Sequence, residues 1–369
     1  MVNEDVVVIT LAILQAAAII IVLSIFIYQM KTRQRYTPHF TIALILSLIA
    51  IFFSILDLME ITTDPPLYLI SGLMITLAFY SIYLHYEALS SIRPPLWRHT
   101  AVFGITIASV TIYLLKLAEI LSEEISTNLI PLDAIESVLG VIVFTYATYV
   151  MINTHLLVKR LSTLIELVSL IILFLGNLCY SVGDSLWTLG EDWQGTYDLL
   201  VMIGDICVLA GILVFISNYL INIEYIYRIP VPIHEVIMLN SSGMPTYNRR
   251  VYAPKIGVPE SFDKDLISGA LTAISAIFKE TLGRKARIKY LDLGDYQVFF
   301  SHIPNDQGSF VVLTSGGNFF LSKSLDRFIK VIPHEFIISL EEDIVNVEKY
   351  REVLDPLLLS AFRYLSIKK

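Results

Sequence analysis

The stretch VIMLNSSGMPTYNRRVY, residues 236–252, has the pattern of a water-soluble β-hairpin, with two alternating strands joined at Ser242-Gly243. It follows more than two hundred residues that are mostly apolar. The chain of 369 residues is 55% hydrophobic and 16% charged, whereas a soluble globular protein carries about 25% charged residues. The sequence therefore predicts a membrane-embedded part followed by a water-soluble domain that begins near this hairpin.

Seven apolar segments before the hairpin are long enough to cross a bilayer as helices, which takes about 20 residues each. They comprise residues 6–29, 39–60, 66–88, 100–121, 134–157, 162–185 and 197–222. No cleavable signal sequence is expected, because Glu4-Asp5 has the wrong charge for one. We predict a seven-transmembrane helical domain over 1–227, a short linker over 228–232 and a separate domain over 233–369.

The distribution of Lys and Arg predicts how these segments are oriented. The loops on one side hold Lys31, Arg33, Arg35, Arg93, Arg98, Lys159, Arg160 and Arg228, whereas the opposite half holds only Lys116. Basic residues collect on the cytoplasmic side, so we expect a multi-pass protein of the cell membrane with its N-terminus outside and its C-terminal domain in the cytoplasm. Residues 229–369 carry 17 Lys and Arg against 16 Asp and Glu, and such a balance argues against nucleic-acid binding.

Polar residues in the outer half of the predicted spans are the candidate ligand-binding residues, because charges inside a bilayer are costly and usually functional. The set comprises Asp57, Lys116, Glu119, Asn177, Tyr180, Asp184 and Asp205. If the bundle brings them together, they would form an outward-facing polar pocket for an extracellular small ligand, a proton or another cation. The alternative is a Lys116–Asp ion pair that only holds helices together. For Asp205, the deepest of these charges, the two interpretations are evenly matched.

No catalytic machinery is apparent in the sequence. The seven histidines lack the spacing of metal ligands, PHEFI at 333–337 lacks the second histidine of a zinc-protease helix, and no nucleophile motif or P-loop occurs. We therefore expect a protein that is not an enzyme, with no cofactor and no metal site.

Aromatic and polar residues cluster at the inner ends of the third and fifth predicted spans. They are Tyr80, Tyr83, His85, Tyr86 and Glu87 in the third span and Tyr146, Tyr149, Asn153 and His155 in the fifth. The favoured interpretation is an aromatic belt at the membrane interface, and the alternative is a relay for a signal.

After residue 227 the apolar residues alternate with polar ones. This pattern predicts strands over 233–240 and 246–253, a helix over 263–282 and strands over 286–292, 296–303 and 309–314. Two further helices are predicted over 321–342 and 345–366, and Pro333 should start, end or kink the first of them. The expected architecture is a five-stranded antiparallel sheet covered by helices.

That order of elements resembles the longin fold of the roadblock/longin superfamily. VIMLNSSGMPTYNRR looks like the opening hairpin of the family, DLISGALTAISAIFKETLG is similar to the first helix of small archaeal members, and IKYLDLGDYQVFFSH resembles their central hairpin. The resemblance covers residues 229–369 and implies a non-enzymatic α/β domain that dimerises through a sheet edge or helix. It also implies a platform for a small GTPase or another cytoplasmic protein.

The seven-span part resembles, in topology only, the sensory membrane modules that precede cytoplasmic signalling domains in prokaryotes. The last span has no lysine that could hold retinal, so it does not resemble a rhodopsin. Together the two parts predict a non-enzymatic membrane sensor or receptor-like signalling protein. The alternatives are a transporter or ion-conducting protein with a regulatory domain, and a scaffold whose spans only tether the cytoplasmic domain.

Overall fold

The computed structural model divides the chain into two compact units, Met1–Glu87 with Arg93–Tyr227, and Ala88–Ile92 with Arg228–Lys369. It describes residues 38–58, 67–90, 95–122, 132–158, 161–187, 193–221, 233–240, 244–252, 288–293, 296–303, 307–315, 319–333, 336–337, 347–361 and 366–367. Nine single positions between 13 and 27, together with positions 269 and 273, are also described, and all of these are helical. Most of the first predicted span, 6–29, and the whole linker, 228–232, therefore lie outside the described residues.

Six helices of the first unit are long and apolar enough to cross a membrane, among the residues that the structure describes. They are α1 (Pro38–Leu58), α2 (Leu67–Ser90), α3 (Leu96–Ser122), α4 (Leu132–Val158), α5 (Leu161–Trp187) and α6 (Gln194–Ile221). These helices coincide with the second to seventh predicted spans. Large apolar side chains such as Phe52, Leu115 and Ile206 lie exposed on them, as expected for helices that lipid surrounds.

Consecutive helices run in opposite directions, as three contacts show, each of which joins the end of one helix to the start of its neighbour. Ser54 of α1 hydrogen-bonds to Ser71 of α2 at 2.7 Å, and Tyr113 of α3 donates to Glu136 of α4 at 2.5 Å. Asn218, near the end of α6, donates to the backbone carbonyl of Ser162 at the start of α5. Short connections between such helices produce an up-and-down bundle.

Helices α5 and α6 approach each other closely through glycines. A Cβ placed on Gly176 would lie 2.8 Å from Val208 and 3.1 Å from the backbone oxygen of Gly204. A Cβ on Gly211 would lie 2.7 Å from the side chain of Leu173. Small residues let the backbones of membrane helices pack in this way, so α5 and α6 lie closely against each other.

The second unit contains an antiparallel sheet. Its strands are β1 (Ile233–Asn240), β2 (Pro245–Tyr252), β3 (Tyr290–Asp292), β4 (Gln297–His302), β5 (Gly308–Thr314) and β6 (Ser366–Ile367), in the order β3-β4-β5-β1-β2-β6. The predicted five-stranded antiparallel sheet is confirmed. Two details of the prediction are wrong: β3 begins at Tyr290 rather than at 286, and the end of the predicted helix 345–366 is instead a short sixth strand paired with β2.

Helices α7 (Phe319–Val331) and α8 (Val347–Ala361) cover one face of this sheet. The ring of Phe310 on β5 packs 4.7 Å from that of Phe328 on α7, and Ser301 of β4 donates to Asp326 of α7 at 2.8 Å. Helix α7 ends two residues before Pro333. Proline has no backbone N–H and therefore cannot continue the hydrogen bonds of a helix.

Polar contacts attach α8 to the same face. Asp355 accepts hydrogen bonds from Tyr247 at 2.7 Å and from both ends of the Arg249 guanidinium, at 2.9 and 2.5 Å. Burial raises the pKa of Tyr247 far above its usual range, and the hydrogen bonds to Asp355 raise the pKa of Arg249.

The opposite face of the sheet is also buried. It carries a core of Ile237, Leu239, Val298, Phe300, Val311 and Leu313. The amphipathic helix predicted over 263–282 is the segment that the sequence offers to cover this core. Apart from Gly269 and Ala273, both of which are helical, it lies outside the described residues.

Candidate functional site

The predicted ligand-binding residues of α5 lie on one side of that helix, toward α4 and α6. Asp184 accepts a hydrogen bond of 2.9 Å from Ser137 of α4, and both side chains are buried. About two turns before Asp184 in α5, Asn177 donates to the backbone carbonyl of Leu173 at 2.9 Å. Its amide packs so closely on Gly140 of α4 that a Cβ there would collide with it.

On the α6 side, Tyr180 donates a hydrogen bond of 2.5 Å to Asp205. The Tyr180 ring lies against Gly204, where a Cβ would come within 3.0 Å of it, so the missing side chain makes room for the ring. We call Ser137, Asn177, Tyr180, Asp184 and Asp205 the polar seam. It links α4, α5 and α6 through neutral donors and carboxylate acceptors.

The remaining predicted residues do not join this seam. Lys116 and Asp57 are half-buried on α3 and α1, and Lys116 forms no ion pair with any acid among the described residues. Glu119 lies on α3, but its side chain is outside the described part. Within the described residues, the alternative of a Lys116–Asp ion pair is therefore wrong, and the predicted set divides into a seam on α4–α6 and separate charges on α1 and α3.

Sequence reasoning missed one acceptor and one donor at this end of the bundle. Glu136, which accepts from Tyr113, and Ser137, which donates to Asp184, are not among the predicted residues. The Tyr113 ring also fills the space above Gly72 of α2, where a Cβ would collide with it. A hydroxyl-bearing residue next to an acid at the start of an apolar run was the available signal.

A second polar cluster lies at the other end of the bundle, around the last turns of α2. Arg98 of α3 holds Glu87 of α2 with two hydrogen bonds, of 3.1 and 2.5 Å. Its guanidinium also lies 4.6 Å from the centre of the Tyr146 ring of α4. Glu87 is only 4% exposed, and a bidentate, stacked arginine is the partner that best compensates a buried carboxylate.

One residue earlier, Tyr86 of α2 donates a hydrogen bond of 2.8 Å to Glu166 of α5. Tyr86 is 1% exposed and Glu166 is completely buried. Tyr83, a turn before, packs its ring 5.4 Å from that of Tyr146. We call Tyr83, Tyr86, Glu87, Arg98, Tyr146 and Glu166 the polar network, and it joins α2 to α3, α4 and α5.

Further contacts extend the polar network to the outer helices. The Phe40 ring of α1 packs 5.1 Å from His85 of α2 and 5.6 Å from Tyr219 in the last turn of α6. His155 of α4 hydrogen-bonds to Thr163 of α5 at 2.7 Å. All six described membrane-length helices thus meet at this end through aromatic or polar side chains.

The aromatic-belt interpretation is wrong for Tyr83 and Tyr86, because both rings lie inside the bundle rather than on its surface. Tyr149 is 59% exposed and fits a belt. Glu166 was missed as a functional residue. Its signal was a single carboxylate within the apolar run LIELVSL, since such residues usually face the interior of a membrane bundle.

The start of β1 contains a buried histidine. His234 is 3% exposed, and among the described residues neither of its ring nitrogens has a hydrogen-bond partner. Its ring meets that of Tyr296 edge-on at 5.6 Å. Burial lowers the pKa of His234 below its ordinary value of 6.5, because the apolar surroundings disfavour the charged form.

Within the described residues, no group of three or more His, Cys, Asp and Glu side chains is placed to hold a metal ion. Comparison of the chain with protein-family models, curated proteins and solved structures finds no significant match. The chemistry of the two polar clusters is therefore the basis for an assignment of function. The polar seam consists of hydroxyl, amide and carboxylate groups, and the polar network adds a guanidinium to hydroxyl and carboxylate groups. Both clusters join helices to one another.

Proposed function

We propose that the chain is a non-enzymatic membrane signalling protein, in which the helical bundle senses a ligand or a physical state and passes the change to the sheet domain. The observation that carries this proposal is the polar network. A bundle that served only as an anchor would need no carboxylates buried between its helices, since apolar packing of similar volume is often at least as stable as a buried ion pair.

The position of the polar network along the chain supports a role in transmission. Tyr219, which packs on Phe40, lies in the last turn of α6. Only eleven residues, 222–232, separate the end of α6 from the start of β1. A change in how α1, α2 and α6 meet therefore acts on the segment that leads directly into the sheet domain.

Each buried polar contact joins specific partners, so helices that share such contacts can switch between two distinct arrangements. If a ligand at the polar seam binds one arrangement of α4–α6 more tightly, it shifts the population toward that arrangement. The polar network then either keeps its present pairing or exchanges it for another. The predicted ligand is an extracellular small molecule or a cation, because the polar seam offers two carboxylates.

The resemblance to longin-like domains supplies the proposed output. The sheet domain would pair with a second copy or bind a cytoplasmic partner, of which a small GTPase is the first to test. The predicted cytoplasmic location of this domain belongs to the same proposal and is supported by the distribution of Lys and Arg along the chain.

The full chain in lipid nanodiscs provides the test. We would compare hydrogen exchange of β1 and β2, and capture of purified small GTPases, between the unmodified chain and Tyr86→Phe. That variant removes the hydrogen bond to Glu166 and keeps the ring. We expect altered exchange in the strands and at least a fivefold change in capture, whereas the exposed control Tyr149→Phe should change neither.

Two results would contradict the proposal. Exchange and capture that are the same in Tyr86→Phe and in the unmodified chain would leave the polar network as a structural staple and the bundle as a tether. Ion or solute flux through reconstituted vesicles that Tyr86→Phe abolishes would instead favour the transporter alternative.

A further inference from the structure

Helix α6 carries a carboxyl group on a face that the other described helices leave exposed. Asp205 lies eleven residues into the helix, about 16 Å from its first residue, and its side chain is exposed. Met202 on the same side is 53% exposed, and Leu209 and Ile212 are partly exposed. These four residues follow one another at intervals of three, four and three, so they form one stripe along α6.

Only one of the two carboxyl oxygens of Asp205 receives a hydrogen bond from the described residues. Tyr180 donates to one oxygen, Oδ1, and no Lys or Arg of the described residues pairs with either oxygen. Carboxyls at such a depth in a membrane normally face protein or water rather than lipid. Water is a poor candidate here, because the exposed neighbours Met202 and Ile206 are apolar.

We propose that the stripe of Met202, Asp205, Leu209 and Ile212, which we call the α6 face, binds the α6 face of a second copy of this chain. Two copies inserted in the same direction can pack in parallel along such a stripe, because apolar residues at alternating intervals of three and four interlock. A two-fold axis then brings the two Asp205 carboxyls together, and a proton shared between them satisfies the oxygens that Tyr180 does not reach.

Self-pairing explains why a carboxyl stands within an apolar stripe. One polar residue in a helix-pairing seam fixes the register and the number of partners, and polar side chains bond across membrane helices. The close contacts of Gly176 and Gly204 hold α6 against α5, so the α6 face keeps its orientation. This inference goes beyond the proposed function and does not rest on it, because the pairing would form even in a bundle that transmits nothing.

Energy transfer between donor- and acceptor-labelled full chains in vesicles, measured over a dilution series in lipid, tests the pairing. We expect transfer above the level of random proximity for the unmodified chain and for Asp205→Asn, whose amide can still hydrogen-bond to the second copy. Asp205→Leu should need about tenfold more protein per lipid to reach the same transfer. The control Asp198→Asn, near the start of α6, should behave as the unmodified chain.

A second measurement remains decisive even if Asp205→Leu folds poorly. In a background without Cys179 and Cys207, Leu209→Cys should form a disulfide between copies, whereas Ile203→Cys, on another side of α6, should not. Transfer at the random level in the unmodified chain, equal transfer in Asp205→Leu, or equal crosslinking at positions 203 and 209 would each overturn the proposal and leave the α6 face to lipid or to a small ligand.

Discussion

Removal of the arginine from the polar network should destabilise the bundle more than removal of any surface charge. In Arg98→Met the aliphatic stem stays while Glu87 loses both hydrogen bonds of its bidentate partner. Glu87 is 4% exposed, so its charge would remain buried without the guanidinium that neutralises it. Breaking a buried pair in this way costs about 3–5 kcal/mol, and the side chain of Arg98 is 24% exposed, which favours the lower end, about 3 kcal/mol.

A double-mutant cycle separates this effect from lost packing. Glu87→Gln keeps a hydrogen-bond acceptor for Arg98 and should cost about 1 kcal/mol. The double variant, in which neither position carries a charge, should cost about 2 kcal/mol rather than the sum of about 4, a coupling energy of about 2 kcal/mol. Equilibrium unfolding of the full chain in mixed detergent micelles gives these free energies.

Lys116→Met is the matched control for this cycle. It removes a half-buried cation that has no ion-pair partner among the described residues, so we expect a change within about 0.5 kcal/mol. Effects of Arg98→Met and Glu87→Gln that add within about 0.5 kcal/mol would refute the reasoning, because they would mean that the two groups do not depend on each other.

Three further predictions concern packing, pH and the sheet domain. Gly176→Ala should cost about 1–3 kcal/mol, because its new methyl lies 2.8 Å from Val208, while Gly104→Ala, with nothing within 4 Å, should leave thermal unfolding unchanged or raise its midpoint. Since burial lowers the pKa of His234 in the folded state, the folded second unit holds this ring neutral. The contribution of His234 to the stability of that unit is therefore complete above pH 6.5 and is lost as the pH falls below it. Unfolding of the second unit should therefore become easier by up to about 1.4 kcal/mol at pH 5.5, a loss absent in His234→Leu. Asp355→Asn weakens the contacts of α8 with Tyr247 and Arg249, and hydrogen exchange should speed up in α8 and not in α7.

The sequence predicted the architecture well where a local pattern determines it. Runs of about twenty apolar residues identify the six described helices of membrane length, and alternation identifies the five main strands. The end of α7 follows from Pro333. The strand at Ser366–Ile367 could not be predicted this way, because a pairing of two residues with β2 arises from tertiary contact and leaves no period in the sequence.

The candidate site was predicted only in part, for a geometric reason. Sequence position gives the depth of a residue in the membrane, but not the direction that its side chain faces once helices pack. Lys116 and Asp184 both belong to the predicted outer half, yet Asp184 bonds to Ser137 and Lys116 does not join it. Likewise, Tyr86 and Tyr149 share the same end of the bundle, and only the rotation of each helix decides that Tyr86 is buried and Tyr149 exposed.

Transmission between the polar seam and the sheet domain is the central claim, and a second cycle of variants measures it directly. The full chain in nanodiscs would carry Asp184→Asn, Tyr86→Phe, both or neither, with hydrogen exchange of β1 as the readout. We predict that Asp184→Asn alters exchange in β1 when Tyr86 is present, and that this alteration vanishes in the double variant. Exchange in β1 that is identical in all four proteins, or an effect of Asp184→Asn that persists without the Tyr86 hydroxyl, would contradict the account.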